Sequence, residues 1–317
     1  MSAIKPGWSK PSTILFASEI PANEKAFGFA LAEAAEFGAD LIVFHVYDTP
    51  ASAAQQGPGP GHYDYAQARA EKQRLEPLAQ RAKELGIHCR VVVRPGLAGD
   101  EILSFLRGRK IDRVIMGAHS PGPIGKLLVG SVAEAVLREA NAPVNIVGPC
   151  VVEGAYRHFA SRTILCSAGA HESSHVVVRF AAELAARQKA SLIVQQVIPP
   201  QERAVILAGR TLGQMEAELL SFIPGQLLAK LDVRTRAVLG DPIEELLHHG
   251  RAQRANLIVL GAQGASHFAA ITRAGIVYKV LAYSQCPVLT LSPVVLAGCG
   301  AGEEHTHPSE VCLAGVF

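Results

Sequence analysis

Four glycines and two prolines lie in residues 117–131, which read GAHSPGPIGKLLVGS. This segment separates the strand-like run RVIM from the helical run VAEAVLREA. A glycine-rich turn between a strand and a helix can bind phosphate, because its backbone N–H groups point into one concavity beside a helix N-terminus. Glycine also lets a phosphate approach the backbone closely. The segment is therefore a candidate phosphate site between a strand and a helix.

The prolines of this segment weaken the prediction of a phosphate site. Pro121 and Pro123 have no N–H to donate, and Pro121 pushes Ser120 toward extended dihedrals. If residue 120 has to be left-handed, serine costs about 1 to 2 kcal/mol relative to glycine, which is on the order of a tenfold loss in affinity. Lys126, a mobile cation in the same segment, can offset part of that loss.

Ser131 also has an interpretation that needs no ligand. Ser131 and Glu134 fit a capping box, S-x-x-E, in which a serine hydroxyl stabilises the start of a helix. Both interpretations stay open at this point, because one hydroxyl can cap the helix in the empty state and bind a ligand when one is present.

The composition is typical of a folded protein with a sizeable core. The chain has 317 residues, of which 49% are hydrophobic and 18% charged, and this length suits two ordinary domains. The formal net charge of +2 argues against nucleic acid as a partner. The sequence shows no secretory signal and no apolar stretch long enough to span a bilayer. We therefore expect a cytoplasmic protein with no membrane partner and with reduced, structural cysteines.

The two halves of the chain repeat each other. RVIMGA (113–118) matches NLIVLGA (256–262) with Gly117 on Gly261. Nearer each N-terminus, TILFAS (13–18) matches TILCSA (163–168), and ADLIVFHV (39–46) matches ASLIVQQV (190–197). Ordered blocks of this kind predict two copies of one domain. We name residues 10–149 copy 1 and residues 157–293 copy 2, and we expect residues 294–317 to form a flexible tail.

Each copy alternates short runs rich in Ile, Val and Leu with longer amphipathic runs. Such an alternation gives a parallel sheet with helices on both faces. The predicted fold is therefore α/β, with two repeated doubly wound parallel-sheet domains. The last strand candidate of each copy can pair within the chain or between chains. In copy 1 the predicted strands are 13–17, 40–46, 88–93, 112–116 and 143–147, and the predicted helices are 23–37, 65–85, 98–108 and 128–140.

The chain resembles the universal stress protein family, in its tandem two-domain form, over nearly all of residues 10–293. The resemblance is carried by GAHSPGPIGKLLVGSVAEAVLREANAPVNIV in copy 1 and by LGDPIEELL and NLIVLGAQG in copy 2. It implies an adenine nucleotide alpha hydrolase-like, Rossmann-like sandwich. Nucleotide-binding members have the loop G-x2-G-x9-G-S/T after the fourth strand and an acidic residue after the first strand. The family's sheet order places those two strands side by side, so both loops face one crevice at a topological switch point.

This resemblance assigns roles to single residues of copy 1. The acidic position falls on Glu19, near the sugar, and the residue that lies against adenine falls near Val43 to His45. The ligand that the resemblance implies is ATP or AMP. Four positions correspond to the family's loop: Gly117, Ser120 in place of the second glycine, Gly130 and Ser131.

Copy 2 departs further from the family's pattern. It keeps Gly261 and Gly264, but Ala274 and Gly275 replace the closing Gly-Ser pair, and the acidic position is Ala168. The hydroxyl and the carboxylate are therefore both missing. We expect copy 2 to be structural and to form a pseudo-twofold pair, an intrachain pseudo-dimer, with copy 1.

Other polar residues give weaker signals. Two cysteines and two histidines near the C-terminus could bind zinc, but their spacing fits no compact knuckle, and no metal site is predicted. His248 and His249 are interpreted as surface or flanking residues, and Cys89 and Cys166 as small buried hydrophobic residues. GxSxG, HExxH and GxxxxGKS/T motifs are all missing from the sequence. The two cysteines and two histidines near the C-terminus are Cys299, His305, His307 and Cys312.

The leading functional hypothesis is a regulatory or binding module that is not an enzyme and that binds ATP or AMP weakly in copy 1. The second hypothesis is a ligand-free interaction scaffold with the shape of a dimer. Slow ATP hydrolysis ranks last, because the sequence offers no evident general base beyond Glu19. Whether two chains associate as a homodimer stays open.

Overall fold

The computed structural model describes residues 5–47, 65–118, 130–152, 154, 162–169, 173–204, 209–261 and 276–300. In copy 1 and the segment before it, the strands are β1 (Thr13–Ala17), β2 (Asp40–Tyr47), β3 (Cys89–Pro95), β4 (Arg113–Gly117) and β5 (Val144–Val147). The helices of the same region are α1 (Pro6–Ser9), α2 (Glu24–Phe37), α3 (Tyr65–Glu84), α4 (Ala98–Gly108) and α5 (Ser131–Glu139).

Copy 2 repeats this alternation of strands and helices, with several short helices between its second and third strands. Its strands are β6 (Thr163–Ala168), β7 (Ser191–Ile198), β8 (Val233–Leu239), β9 (Leu257–Gly261) and β10 (Val288–Leu291). A short 3-10 helix covers Pro200–Glu202. The α-helices are α6 (Ser174–Gln188), α7 (Leu212–Ser221), α8 (Gly225–Leu228), α9 (Pro242–Ala252), α10 (Ile276–Tyr283) and α11 (Pro293–Gly300).

The strands of both copies form one ten-stranded sheet in the order β3-β2-β1-β4-β5-β10-β9-β6-β7-β8. Neighbouring strands are parallel within each copy, and the two copies join through the antiparallel pair β5 and β10, with Val288 opposite Ile146. The last strands therefore pair within the chain. Within copy 1, β1 lies between β2 and β4, which is the sheet order that the resemblance implies. The predicted fold class is confirmed.

The central strands of the sheet are largely apolar because helices cover both faces. Along β2, Ile42 and Phe44 face the layer of α4 and α5, while Leu41 and Val43 face the layer of α2 and α3. Helix α2 begins and ends where its sequence predicts. The Asn23 side chain accepts a hydrogen bond from the Ala26 N–H, and Gly38 ends the helix in the left-handed conformation at φ 62°.

A buried polar cluster joins the two copies on the face that carries α2 and α6. The Arg113 guanidinium, which is fully buried, donates to the Glu33 carboxylate at 2.6 Å and to the Trp8 carbonyl oxygen at 2.6 Å. Gln188 of copy 2 donates to the other oxygen of Glu33 at 3.2 Å. Arg113 and Glu33 neutralise each other's charge in the buried interior. The hydrogen bond from Gln188 to Glu33 links the two copies directly.

The folded chain extends beyond the predicted domain boundaries at both ends. Trp8, ahead of copy 1, is 4% exposed and packs into the core of copy 2. Helix α11 occupies the start of the predicted flexible tail, and Val295, Leu296 and Cys299 are buried in the same core. The expectation of a flexible tail is therefore wrong for residues 294–300, because the apolar residues of α11 cover the helices beside them. Residues 301–317 lie outside the described part of the chain.

Candidate functional site

A cavity of about 310 Å³ opens at the C-terminal ends of β1, β2 and β4 in copy 1. The first turns of α4 and α5 complete its walls, which include Ala98 and Ala133. Because β1 and β4 are neighbours while their following helices lie on opposite faces of the sheet, this is a topological switch point, the usual ligand site of open α/β sheets. Small side chains at the two helix starts leave the space open.

Four of the residues that the sequence singles out line this cavity. Glu19 follows β1, Gly117 ends β4, and Gly130 and Ser131 begin α5. The structure thus brings together residues that are separated by more than a hundred positions in the chain. Ser120 and Lys126, the other two loop candidates, lie outside the described residues.

Val43 does not line the cavity, so that part of the sequence prediction is wrong. Its side chain is fully buried on the opposite face of the sheet, in the core beneath α2 and α3. Phe44, His45 and Val46 line the cavity instead. Successive side chains of a strand point to opposite faces, so an error of one residue in the register exchanges the two faces.

Ser131 is not the residue that caps α5. The helix begins at Ser131, and the preceding Gly130 is the N-cap, with extended backbone at φ −60° and ψ 156° and without a side-chain cap among the described residues. The Glu134 N–H donates to the Gly130 carbonyl oxygen at 3.0 Å. The predicted capping box is therefore wrong. The Ser131 side chain is exposed at the cavity wall, and the N-cap residue offers no side chain to the first-turn N–H groups.

Gly117 is required for packing, whether or not a ligand is present. A Cβ atom at residue 117 would lie 2.6 Å from Asn23 Nδ2 and 2.8 Å from Asn23 Cβ. Asn23 is the residue that caps α2. The glycine at the end of β4 therefore lets the N-terminus of α2 approach the sheet, which gives it a structural role that the sequence pattern did not reveal.

Hydrogen bonds hold the segment after β1 against the end of β2. The Ser18 N–H donates to the Phe44 carbonyl oxygen at 2.8 Å. The Ser18 carbonyl oxygen lies 2.8 Å from Nδ1 of His45, and the Ser18 hydroxyl donates to the Glu19 carbonyl oxygen at 2.8 Å. This network fixes the backbone that carries the Glu19 carboxylate at the cavity rim.

The same location in copy 2 contains a buried polar pair. Gln195 stands where copy 1 has Phe44, and His249 stands where copy 1 has Phe105. The Gln195 side-chain oxygen is hydrogen-bonded to His249 Nδ1, and both residues are buried. The interpretation of His249 as a surface residue is therefore wrong. Sequence reasoning missed the pair because the two residues are 54 positions apart.

The environment of His249 opposes its protonation. Burial lowers the pKa of His249, and the charges of Arg236 and Arg234 lower it further, while Glu245 on the same helix raises it. Gln195 Nε2 has no hydrogen-bond partner in the described part of the chain. In copy 1 the equivalent phenylalanine rings pack with their centroids 4.7 Å apart.

The helix that follows the third strand also differs between the copies. In copy 2, Asp241 caps α9 by accepting from the N–H groups of Ile243 and Glu244 at 2.9 and 3.0 Å. In copy 1 the equivalent N-cap of α4 is Leu97, whose side chain makes no cap. At the wall formed by the next helix, Val277 replaces Ala133. Gly264, Ala274 and Gly275 lie outside the described residues.

The described residues contain no group of three or more His, Cys, Asp or Glu that could hold a metal ion. Cys299 is buried on α11, and burial raises the pKa of its thiol. His305, His307 and Cys312 lie outside the described residues. Cys89 and Cys166 are buried in β3 and β6, as expected, and burial raises the pKa of Cys166 to about 12. Over the described ranges, no helix is long and apolar enough to cross a membrane.

The fold and the cavity define a duplicated, doubly wound α/β protein with a small-molecule cavity at a topological switch point of copy 1. The family model of the universal stress protein family matches residues 12–148 and again residues 160–292. The chain belongs to this family, in its tandem form.

Comparisons with individual proteins agree with this assignment. The chain is 32% identical over 125 residues to a universal stress protein of Thermus aquaticus, covering 39% of this chain and 88% of that protein. It is 28% identical over 115 residues to one from Methanocaldococcus jannaschii, covering 36% of this chain and 68% of that protein. The crystal structure of a universal stress protein from Archaeoglobus fulgidus has the same fold, with a TM-score of 0.67 at 19% identity, and the match covers 90% of this chain and 97% of that one.

Proposed function

We propose that this protein is a regulatory binding module of the stress response, and that copy 1 binds an adenine nucleotide, ATP or AMP, in the cavity at the ends of β1, β2 and β4. The observation that carries the proposal is the convergence of Glu19, Gly130 and Ser131 on one open cavity of about 310 Å³. Cavities of this size at a switch point are the usual small-molecule sites of such folds.

The chemistry of the walls suits the parts of a nucleotide. Apolar side chains from three elements, Phe44, Ile102 and Met116, offer a surface for a base. The uncapped N–H groups and the Ser131 hydroxyl at the start of α5 are donors for a phosphate or ribose oxygen. Glu19 is an acceptor for ribose hydroxyl groups at the rim.

We propose binding without turnover. Phosphoryl transfer relies on cations that stabilise the charge on the phosphoryl oxygens and on a group that positions the attacking water. Among the described residues that line the cavity, Glu19 is the one carboxylate and none is lysine or arginine. The described walls therefore offer a binding surface without the parts of a hydrolytic site.

Isothermal titration of the full chain with ATP and with AMP tests the proposal. Gly130→Val places a branched side chain at the cavity wall, so we expect it to lower the affinity about tenfold or more. Ser131→Ala removes one donor and should cost about two- to tenfold, the usual range for one hydrogen bond. Ala274→Val, the equivalent change in copy 2, is the matched control and should leave binding unchanged. Affinity that survives both copy 1 substitutions would count against the site.

The alternative function is a ligand-free interaction scaffold. The packing of Asn23 against Gly117 favours it, because this packing accounts for the glycine at the end of β4 without any ligand. Native mass spectrometry of protein purified without added nucleotide separates the two functions. An adenine nucleotide that stays bound through purification would contradict the scaffold hypothesis.

A further inference from the structure

A cavity of about 400 Å³ lies at the N-terminal ends of β1, β2 and β3 in copy 1, at the opposite end of the sheet from the cavity at the switch point. The connection between α4 and β4 completes its wall. Thr13 is in register with Asp40, and Ile42 with Arg90, so these side chains lie on one face of the sheet. We name this space the basal cavity, and its lining residues are Thr13, Asp40, Ile42, Arg90, Gly108, Arg109, Lys110 and Ile111.

The described chain is continuous along the whole wall of the basal cavity. All lining residues belong to the ranges 5–47 and 65–118, and each lies several residues from the ends of its range. Residues 47 and 118 lie at the C-terminal ends of β2 and β4, at the other end of the sheet. The gaps in the described chain therefore do not interrupt this wall.

Positive charge exceeds negative charge in the wall. Three of the lining side chains are cations, Arg90, Arg109 and Lys110, and one, Asp40, is an acid. Neither Arg90 nor Lys110 makes an ion pair with another described residue. Asp40 Oδ1 lies 3.2 Å from His88 Nδ1. The C-terminal carbonyl groups of α4 add roughly half a negative charge, so the cations of the wall exceed its negative charge by more than one charge.

The equivalent location of copy 2 pairs its arginine with a neutral residue. Arg234 stands where copy 1 has Arg90, and Gln253 stands where copy 1 has Arg109. Arg234 donates to the Gln253 side-chain oxygen at 3.4 Å. A guanidinium has no acceptor atom, so Arg109 cannot accept from Arg90, and the two line one cavity as like charges. An anion bound between them would relieve this repulsion.

Arg109 is held beside the cavity by an aromatic ring. Its Cζ atom lies 5.1 Å from the ring centroid of Phe105, a distance typical of a cation–π contact. The buried ring thus positions a guanidinium whose donors form a planar fork, the geometry that matches two oxygens of one phosphate group.

The character of the wall suits a small, highly charged ligand. The volume of about 400 Å³ lies within the range of small-molecule sites, about 300 to 1,000 Å³. The apolar side chains of the described wall are Ile42 and Ile111, and both are buried. A nucleobase or a lipid chain would find little apolar surface there, whereas a phosphate compound would find three cations.

We propose that the basal cavity of copy 1 binds a small phosphate compound with two or more negative charges, held by Arg90, Arg109 and Lys110. The phosphate group can belong to inorganic pyrophosphate or to a phosphate ester, and both present the same oxygens to the arginines. The basal cavity shares no residue with the cavity at the switch point, so this inference goes beyond the proposed adenine site.

Isothermal titration of the full chain with pyrophosphate and with glycerol phosphate tests the inference. We expect binding at low salt and a several-fold loss of affinity at moderate salt, because salt screens exposed charges. The compound that binds more tightly identifies the source of the phosphate group. Failure of both compounds to bind at low salt would overturn the inference and leave the proposed adenine site untouched.

Variants of exposed residues test which side chains bind the phosphate. Arg109→Gln copies Gln253 of copy 2 and should lower the affinity about tenfold or more, the usual loss for a charged hydrogen bond. Asp40→Asn removes the acid of the wall and should raise the affinity several-fold, a gain that damage to the fold would not produce.

Arg234→Gln is the matched control, because it removes the same charge at the equivalent position of copy 2 and should leave binding unchanged. Equal losses for Arg109→Gln and Arg234→Gln would assign binding to net charge and overturn the inference. Binding that is lost in Gly130→Val and kept in Arg109→Gln would place the phosphate at the start of α5, which would also overturn it.

Discussion

Copy 1 and copy 2 have the same order of strands in the sheet, but they differ where the ends of their first, second and fourth strands meet. Copy 1 has a cavity there, above the packed rings of Phe44 and Phe105. Copy 2 has the buried polar pair of Gln195 and His249 and a helix start that Asp241 caps. In the described residues, side chains on one duplicated backbone thus line a candidate ligand cavity in copy 1 and form a buried polar pair in copy 2.

The copies also differ at the junction between them. Copy 1 contributes the buried ion pair of Arg113 and Glu33, while the equivalent positions of copy 2 are Leu257 and Leu184, both buried. The same location in the fold is therefore occupied by charges in one copy and by apolar side chains in the other. The three predictions below change residues at equivalent positions of the two copies and compare the effects.

The largest effect is expected at the buried ion pair. Arg113→Leu leaves the Glu33 carboxylate buried without its cation, which should lower the free energy of unfolding by about 3 to 5 kcal/mol. The double variant Glu33→Leu/Arg113→Leu reproduces the apolar pair of copy 2 and should recover much of this loss, because apolar replacement of a buried pair is often neutral. Urea unfolding of the full chain measures both.

The control for this prediction is Arg138→Leu, which breaks the exposed pair with Glu139. Exposed pairs contribute up to about 1 kcal/mol. If Arg113→Leu and Arg138→Leu have equal effects, the buried pair does not set the difference between the copies.

A smaller effect is expected at the glycines that end β4 and β9. Gly117→Ala forces a Cβ against Asn23 and disturbs the cap of α2, so we expect a loss of about 2 to 3 kcal/mol. At Gly261 the nearest atom to a new Cβ is Val177 Cγ2, at 2.8 Å. That atom is at the end of a side chain and can move, so Gly261→Ala should cost about 1 kcal/mol. Thermal unfolding measures the loss of stability in each variant. A larger loss for Gly261→Ala than for Gly117→Ala would contradict the packing argument.

The smallest effect concerns pH and the buried pair of copy 2. The lowered pKa of His249 means that the unfolded chain takes up this proton at a higher pH than the folded chain. Stability is therefore lost as the pH falls below the ordinary histidine value. Gln195→Phe/His249→Phe restores the aromatic pair of copy 1, should remove this part of the acid sensitivity and should add about 1 kcal/mol.

Unfolding in denaturant at pH 8 and at about pH 5.5 measures the change, and we compare each variant with the wild type at both values. The control is His248→Gln, because His248 is exposed on the same helix. If the acid sensitivity persists unchanged in the double variant, groups other than His249 cause it.

The elements of copy 1 could be predicted closely from the sequence. The helix expected at 23–37 is Glu24–Phe37, and the strand expected at 40–46 is Asp40–Tyr47. Local patterns suffice here, because strands buried on both faces are apolar throughout, and because Asn23 and Gly38 mark the ends of α2. Glu19, Gly117, Gly130 and Ser131 could also be named as cavity candidates, because the resemblance to the family's loop pattern points to these positions.

Other features of the site could not be predicted in the same way. The register of β2 decides that Val46 and not Val43 lines the cavity, and a run of apolar residues does not reveal which of its members face which side. The capping box at Ser131 fits the sequence pattern, but the helix begins one residue earlier than that pattern requires, so that Gly130 and not Ser131 is the N-cap. A pattern of this kind specifies types and spacing and leaves the backbone conformation undetermined.

The sequence by itself determined the duplication, the alternation of strands and helices and the glycine-rich segment, because each of these is recognised from short runs of neighbouring residues. Tertiary structure alone decided that β5 pairs with β10, that Trp8 and α11 pack into copy 2, and that Gln195 meets His249. These contacts join distant residues. Their formation depends on which surfaces remain uncovered after the local elements have formed, and that is a property of the whole packed chain.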